Sequence, residues 1–225
     1  MSHSGYYDLS AVERGVRDGA HREIIGGLWD EIGDHQMAFL IAQGLRRGDR
    51  LLDVGCGSLR LGARAIGWLD SERYFGMDMS DALIDAGRLK ELDESSREKA
   101  PPSHFGVSDD FDFSFLPGQV DMAIAQSVFT HLPINHLRRC LARLGGYMEP
   151  GSRFYVTYFG CPDEADLFAP RVQGPAGVVT HDYQDPYHYR VSDLEFAIDR
   201  SPWSLQRIGD WDHPRGQQIC AFIRS

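Results

Sequence analysis

The sequence predicts an α/β fold: a doubly wound, mostly parallel sheet that finishes in an antiparallel β-hairpin. Three observations predict it. Short apolar runs alternate with stretches of helical period from about Leu28 to Phe159. A glycine-rich loop, "RLLDVGCGSLRLG" (Arg50 to Gly62), follows the first run directly. The last two runs, "WSLQRIGDW" and "QQICAFIRS", are separated by the turn-like "DHPRG".

Taken in order, Leu28, Ile32, Phe39 and Leu40 have helical spacing, and the pattern continues to Leu45 before "RRGD". This helix leads into a first strand at Leu51 to Val54, followed by a helix at Arg60 to Leu69. A second strand at Tyr74 to Met79 precedes a helix from Ser80 to Leu92, with Ser80 able to cap it. "DESSREKAPPS" (Asp93 to Ser103) reads as a loop. Val120 to Ala125 is a further strand, and Pro133 to Met148 a helix with one apolar stripe at Leu137, Cys140, Leu141 and Leu144. Phe154 to Phe159 is the next strand, and the segment from Gly160 to Tyr189 reads as a long loop. "SDLE" (Ser192 to Glu195) matches a capping box before the final strand pair.

A length of 225 residues suits a single domain, with residues 1–27 as an N-terminal extension and 160–191 as an insertion. A formal charge of -10 argues against a surface that neutralises a nucleic-acid backbone. The four cysteines, Cys56, Cys140, Cys161 and Cys220, are far apart and form no C-x-x-C pair, which suggests neither a disulfide scaffold nor a zinc knuckle and fits a reducing cytoplasm. No apolar run reaches the ~20 residues of a membrane span, and the first ten residues lack a signal peptide's apolar core.

Ligands of such sheets sit at the carboxyl ends of the strands, where the glycine loop lies. A dinucleotide fingerprint starting at Gly55 requires glycine at position 60, where the chain has Arg60. Asp53, inside the strand end, would oppose a pyrophosphate and welcome a cation. With "LLDVGCGSL" (Leu51 to Leu59), "YFGMDMS" (Tyr74 to Ser80) and "VDMAIAQSVFTHLP" (Val120 to Pro133) in order, the chain resembles the class I S-adenosylmethionine-dependent methyltransferases. It departs from them at Leu59, where many members carry a third glycine. The resemblance implies a Rossmann-like, seven-stranded sheet and S-adenosylmethionine as cofactor. Gly55, Cys56 and Gly57 would let backbone approach its methionine part, and Asp53 would meet the amino group or orient the loop. Asp78, with Met79 beside it, would accept the ribose hydroxyls. Ser108, Asp109 or Asp110, with Asp109 favoured, would meet the adenine amino group, and Gln126 and Ser127 would pass beside the sulfonium. Arg60 is either a helix-surface cation or a partner for the methionine carboxylate.

On the acceptor side, the [D/N]-P-P-[Y/F/W] signature of amino-directed enzymes is missing after the Val120 to Ala125 strand, where the chain reads "AQSVF". "DPYHY" (Asp185 to Tyr189) has one proline and lies in another connection. This disfavours nitrogen and leaves an oxygen or carbon acceptor, of which a hydroxyl of a small molecule is the favoured one. The long connection carries His181, Asp182, Tyr183, Tyr187, His188 and Tyr189, and loops of that length are often binding loops or lids. Imidazole can remove a hydroxyl proton near neutral pH, so His181, then His188, then His131 are candidate bases. Tyr6, Tyr7, Arg14 and His21 are candidates to close the pocket from the extension. No convergent carboxylate and histidine set calls for a metal, with Asp182 and Asp185 the nearest approach to one. The rival functions are a nicotinamide-dependent oxidoreductase or epimerase on a similar sheet, and a cofactor-binding module without turnover.

Overall fold

The computed structural model describes residues 8–225. Tyr6 and Tyr7 lie outside the described residues. The chain divides into two compact units, whose described residues are 8–123 and 124–225.

In the first unit, α1 (Leu9–Arg17), α2 (His21–Ile24) and α3 (Trp29–Ala42) lead into β1 (Leu51–Val54), α4 (Gly62–Trp68) and β2 (Tyr74–Asp78). Then come α5 (Asp81–Ala86), α6 (Glu94–Lys99), β3 (Phe105–Val107) and the start of β4 (Val120–Ala125). Strand β2 runs parallel to both β1 and β3, with Val54 opposite Met77 and Asp78 opposite Val107. The register brings three strand ends to one edge, which is what gathers the site. Leu51, Leu52 and Val54 are fully buried, so β1 is covered on both faces as a central parallel strand requires. The Ser80 hydroxyl caps α5 by accepting from the Leu83 amide at 3.3 Å, as its sequence position indicates. After Ala86 the helix widens into a π-helical turn over Gly87–Glu91. Gly87 has a tight reason: a Cβ there would come 2.5 Å from the Ser58 carbonyl oxygen. The segment read as a loop from Asp93 contains α6, capped by Asp93 accepting from the Ser96 amide at 2.7 Å. The ESSREK sequence has no apolar stripe, and α6 buries no side chain, so hydrophobic periodicity could not reveal it.

In the second unit, α7 (Ile134–Leu144) buries the expected stripe of Leu137, Cys140, Leu141 and Leu144. Strand β5 (Met148–Gly160) pairs antiparallel with β10 (Gln218–Arg224), and β10 with β9 (Trp203–Asp210). The expected hairpin finish is therefore present. The connection after β5 is more structured than its sequence indicates: β6 (Arg171–Gln173) and β7 (Val178–Thr180) form their own hairpin, and β8 (His188–Tyr189) pairs parallel with the end of β5. Helix α8 spans Val191–Ala197. Its start is two residues earlier than "SDLE" indicates, because Asp193 accepts from the Arg190 amide at 2.8 Å. The seven expected strands are β1 to β5, β9 and β10, and the three short strands are additions. All four cysteines are free and buried. Among the described residues no helix is long and apolar enough to cross a membrane.

Candidate active site

The glycine loop turns immediately after β1. Gly55 and Gly57 have φ of 73° and 52°, a left-handed backbone that glycine adopts without cost. The amides of Gly55 and Cys56 both donate to the Met77 carbonyl, at 2.7 and 2.9 Å, which fixes the loop to the end of β2. Leu59, where a third glycine is common, also takes a left-handed φ of 66°. Its side chain is fully buried, so packing offsets a conformation that costs about 1 kcal/mol.

Asp78 ends β2 and is held from two sides: Gly57 N donates to Oδ2 and Ser80 N to Oδ1, both at 2.9 Å. Each oxygen keeps a further lone pair for a ligand. Desolvation raises its pKa, opposed by those amide bonds. Asp53 lies deeper, only 4% exposed, and accepts from the Tyr74 hydroxyl at 2.8 Å. Burial pushes its carboxyl up to about 7, with the Tyr74 bond and the Arg60 charge pulling the other way. Cys56 is buried, and burial holds its thiol in the neutral form. Met79 is half-buried beside Asp78. Ser108 follows β3, its amide bonded to the Asp78 carbonyl and its hydroxyl accepting from Asp110 and Asp112. Asp109 next to it is exposed. Asp53, Gly55, Cys56, Gly57, Asp78, Met79, Ser108 and Asp109 thus gather at the ends of β1 to β3.

The extension before the core closes over this loop. The Ser58 hydroxyl donates to the His21 carbonyl at 3.1 Å, and Arg60 Nη1 donates to the carbonyls of Ile25 and Gly27 at 3.3 and 3.0 Å. Ile25 lies so near the loop that a Cβ on Gly57 would meet its Cγ2 at 2.7 Å. The reading of Arg60 as a surface cation is corrected by this geometry, since its guanidinium is buried and pins the segment before α3. His21 is buried and lies 2.6 Å from Glu91, which also takes two bonds from Arg22. Those partners, Arg22 first, hold the Glu91 carboxyl below its ordinary range. Arg14 is exposed on α1.

The residues expected in the second unit fall into separate places. Gln126 and Ser127 form the turn after β4, with Ser127 at a φ of 57°. Ser127 N donates to Thr157 Oγ1 at 2.8 Å, and Gln217 Nε2 donates to the Ser127 hydroxyl at 2.9 Å. The Gln126 amide lies 3.2 Å from the ring of His213. His131 follows that turn, with Nδ1 2.5 Å from Asp185 Oδ1. Two further bonds bring Asp185 there: Tyr187 N donates to the Thr130 carbonyl and Tyr189 OH to the Leu132 carbonyl, at 2.7 and 2.6 Å. His188 is 1% exposed with both ring nitrogens engaged, Nδ1 with Thr180 Oγ1 at 2.9 Å and Nε2 with the Leu167 carbonyl at 2.8 Å. His181 is half-buried, its ring edge-on to Tyr183. Among the described residues no group of three or more His, Cys, Asp or Glu is arranged to hold a metal ion. His213 and Gln217 were not anticipated. Their partners lie 87 and 90 residues away, beyond any local sequence pattern.

The donor set at the glycine loop suits S-adenosylmethionine. A buried carboxylate with a single hydroxyl donor favours an ammonium group, a half-exposed carboxylate favours a diol, and left-handed glycines admit a ligand against the backbone. Comparison with known proteins agrees. Residues 52–154 match the family model Methyltransf_12, described as a methyltransferase domain. The chain is 26% identical over 164 residues to the O-methyltransferase cnsE of Penicillium expansum, a match covering 64% of this chain and 57% of that protein. Magnesium protoporphyrin IX methyltransferase (ChlM) from Synechocystis PCC 6803, solved with bound SAM, covers all of both chains at a TM-score of 0.63 and 18% identity. The glycopeptide N-methyltransferase MtfA, solved with S-adenosylhomocysteine, covers 86% of this chain and 90% of its own at 0.61 and 15%. The solved structures show the fold of class I methyltransferases, and the methyltransferase-domain match spans residues 52–154.

Proposed function

We propose that this chain methylates a hydroxyl oxygen of a small molecule, with His131 as the general base and Asp185 as its orienting carboxylate. The observation that carries the reading is the 2.5 Å contact between His131 Nδ1 and Asp185 Oδ1. A carboxylate on Nδ1 fixes the tautomer, keeps the proton there and leaves Nε2 as the basic atom. His131 takes the hydroxyl proton at Nε2, and Asp185 stabilises the imidazolium that results. S-adenosylmethionine, when bound, supplies the electrophilic methyl group. Gly55, Gly57 and Asp53 would hold its methionine part, Asp78 its ribose and Ser108 or Asp109 its adenine, while Gln126 and Ser127 would line the sulfonium. His188 is a poor base in this arrangement, because its buried nitrogens already have partners. Among the described residues His181 has no carboxylate partner of the kind His131 has. An acidic chain supports a small acceptor over nucleic acid, and four free buried cysteines support a cytoplasmic setting.

The test is single-turnover kinetics with the best acceptor of a hydroxyl panel. His131→Ala should lower kcat by about 10² to 10⁴, the usual range for a general base, with cofactor affinity nearly unchanged. Asp185→Asn should lower it by a smaller factor. Wild-type kcat in both variants would remove the pair from the chemistry.

A further inference from the structure

Within the second unit, the segment that carries Asp185 is fastened to the segment that carries His131, and the fastening brackets the histidine. The carbonyls on either side of His131 are the acceptors: Tyr187 N donates to that of Thr130 at 2.7 Å, and the Tyr189 hydroxyl donates to that of Leu132 at 2.6 Å. The donors lie two and four residues beyond Asp185. One hydrogen bond fixes a point and leaves the segment free to swing about it. A second, placed further along, fixes the direction as well. The Tyr187 bond uses backbone and survives any side chain except proline, whereas the Tyr189 bond depends on a single phenol oxygen. His131 and Asp185 keep side-chain exposures of 29% and 14%, so core packing alone does not lock the pair.

Tyr189 is well placed to lock it. The residue ends β8 opposite Gly160 of β5, and its carbonyl accepts from the Cys161 amide at 2.9 Å. It is 5% exposed, and its ring lies parallel to that of Tyr187, at 9° with centroids 6.2 Å apart. Burial holds the phenol well above its ordinary range, so its O–H remains a donor at every pH where a histidine base works. We propose that Tyr189 is a positioning residue for the His131 and Asp185 pair: by tying the end of β5 to the Leu132 carbonyl, its hydroxyl sets how the Asp185 carboxylate meets Nδ1. The proposal rests on reading that pair as the base and its orienting carboxylate.

Tyr189→Phe keeps the ring and removes the bond. Proton NMR of the wild-type protein should show the His131 Nδ1–H far downfield, as a proton held by a carboxylate is, identified by its loss in His131→Ala. In Tyr189→Phe that resonance should move upfield or exchange away. With the acceptor chosen from the hydroxyl panel, kcat should fall about tenfold, the scale of one hydrogen bond, and KM for S-adenosylmethionine should stay within about threefold. His188→Ala, which loosens the neighbouring residue's bonds to Thr180 and Leu167, is the control and should keep both the resonance and kcat. A resonance absent from wild type, or unchanged in Tyr189→Phe, would overturn the proposal. So would an equal loss in Tyr189→Phe and His188→Ala, which marks a purely structural role, or wild-type kcat in Tyr189→Phe where His131→Ala has lost it. Failure of the base assignment reads differently, as undiminished kcat in His131→Ala, and the Nδ1–H resonance decides the role of Tyr189 in that case too.

Discussion

The glycine loop and the connection that follows β5 both concentrate polar groups, and they are built in opposite ways. At the loop, Asp53 and Asp78 are desolvated carboxylates, each held by neutral donors among the described residues and with bonding capacity left over. After β5, polar side chains are matched with one another: His188 with Thr180 and the Leu167 carbonyl, Gln173 with Thr180 and the Gly160 carbonyl. The first region is poised for a ligand, and the second spends most of its polar groups on holding an irregular segment in place. His131 and Asp185 are the exception, a partly exposed pair at the edge of that segment.

The comparison is sharpest at Asp53. Its carboxyl sits at about 7 in the folded chain, against an ordinary value near 4 when unfolded. Between those values the folded state binds more protons, so stability falls as pH rises through the window, and the whole cost is present above it. Asp53→Asn, which keeps an acceptor for Tyr74, should therefore be more stable than wild type at pH 8, by up to about 4 kcal/mol. The two should converge below pH 4, and S-adenosylmethionine should bind the variant less tightly. Chemical denaturation across pH 4 to 8 reads the first effect. A variant less stable than wild type at pH 8 would mean that Asp53 is a satisfied core group like those after β5.

A smaller effect is expected at Asp78. Asp78→Ala should weaken S-adenosylmethionine binding by about 1.5 to 3 kcal/mol, the scale for bonds to a charged group, as calorimetry would show. Unchanged affinity in a folded variant would place the ribose elsewhere. His188→Ala should cost about 1 to 3 kcal/mol of stability by stranding Thr180 and Leu167, with kcat within about threefold of wild type. Loss of kcat without loss of stability would erase the contrast between the two regions.

How far each region was legible follows from the range of its interactions. Strands β1, β2 and β4 and the glycine loop are written in contiguous residues, and parallel register then gathers Gly55, Asp78 and Ser108 without further information. The helix α6 was missed because its residues make no apolar stripe, and β6 to β8 because each has three residues or fewer. The histidines after β5 were conspicuous as residue types, yet their order as candidate bases depends on partners. Asp185 lies 54 residues from His131 and His213 lies 87 from Gln126, and nothing local marks either pairing. The described bonds from the segment before α3 to the loop run through Ser58 and Arg60 to backbone carbonyls, that of His21 among them, whose positions no side-chain pattern records.

The central claim is transfer of a methyl group to oxygen. It is tested most directly by incubating the protein, in the presence of a chelator, with S-adenosylmethionine carrying an isotopically labelled methyl group and a panel of small phenols, alcohols, amines and activated-carbon acceptors. Carbon NMR of the products reads the atom that received the label. The account predicts label on oxygen, formed at an undiminished rate with the chelator present and lost in His131→Ala. Label found only on nitrogen or carbon, or transfer that stops with the chelator and returns with added magnesium, would contradict it.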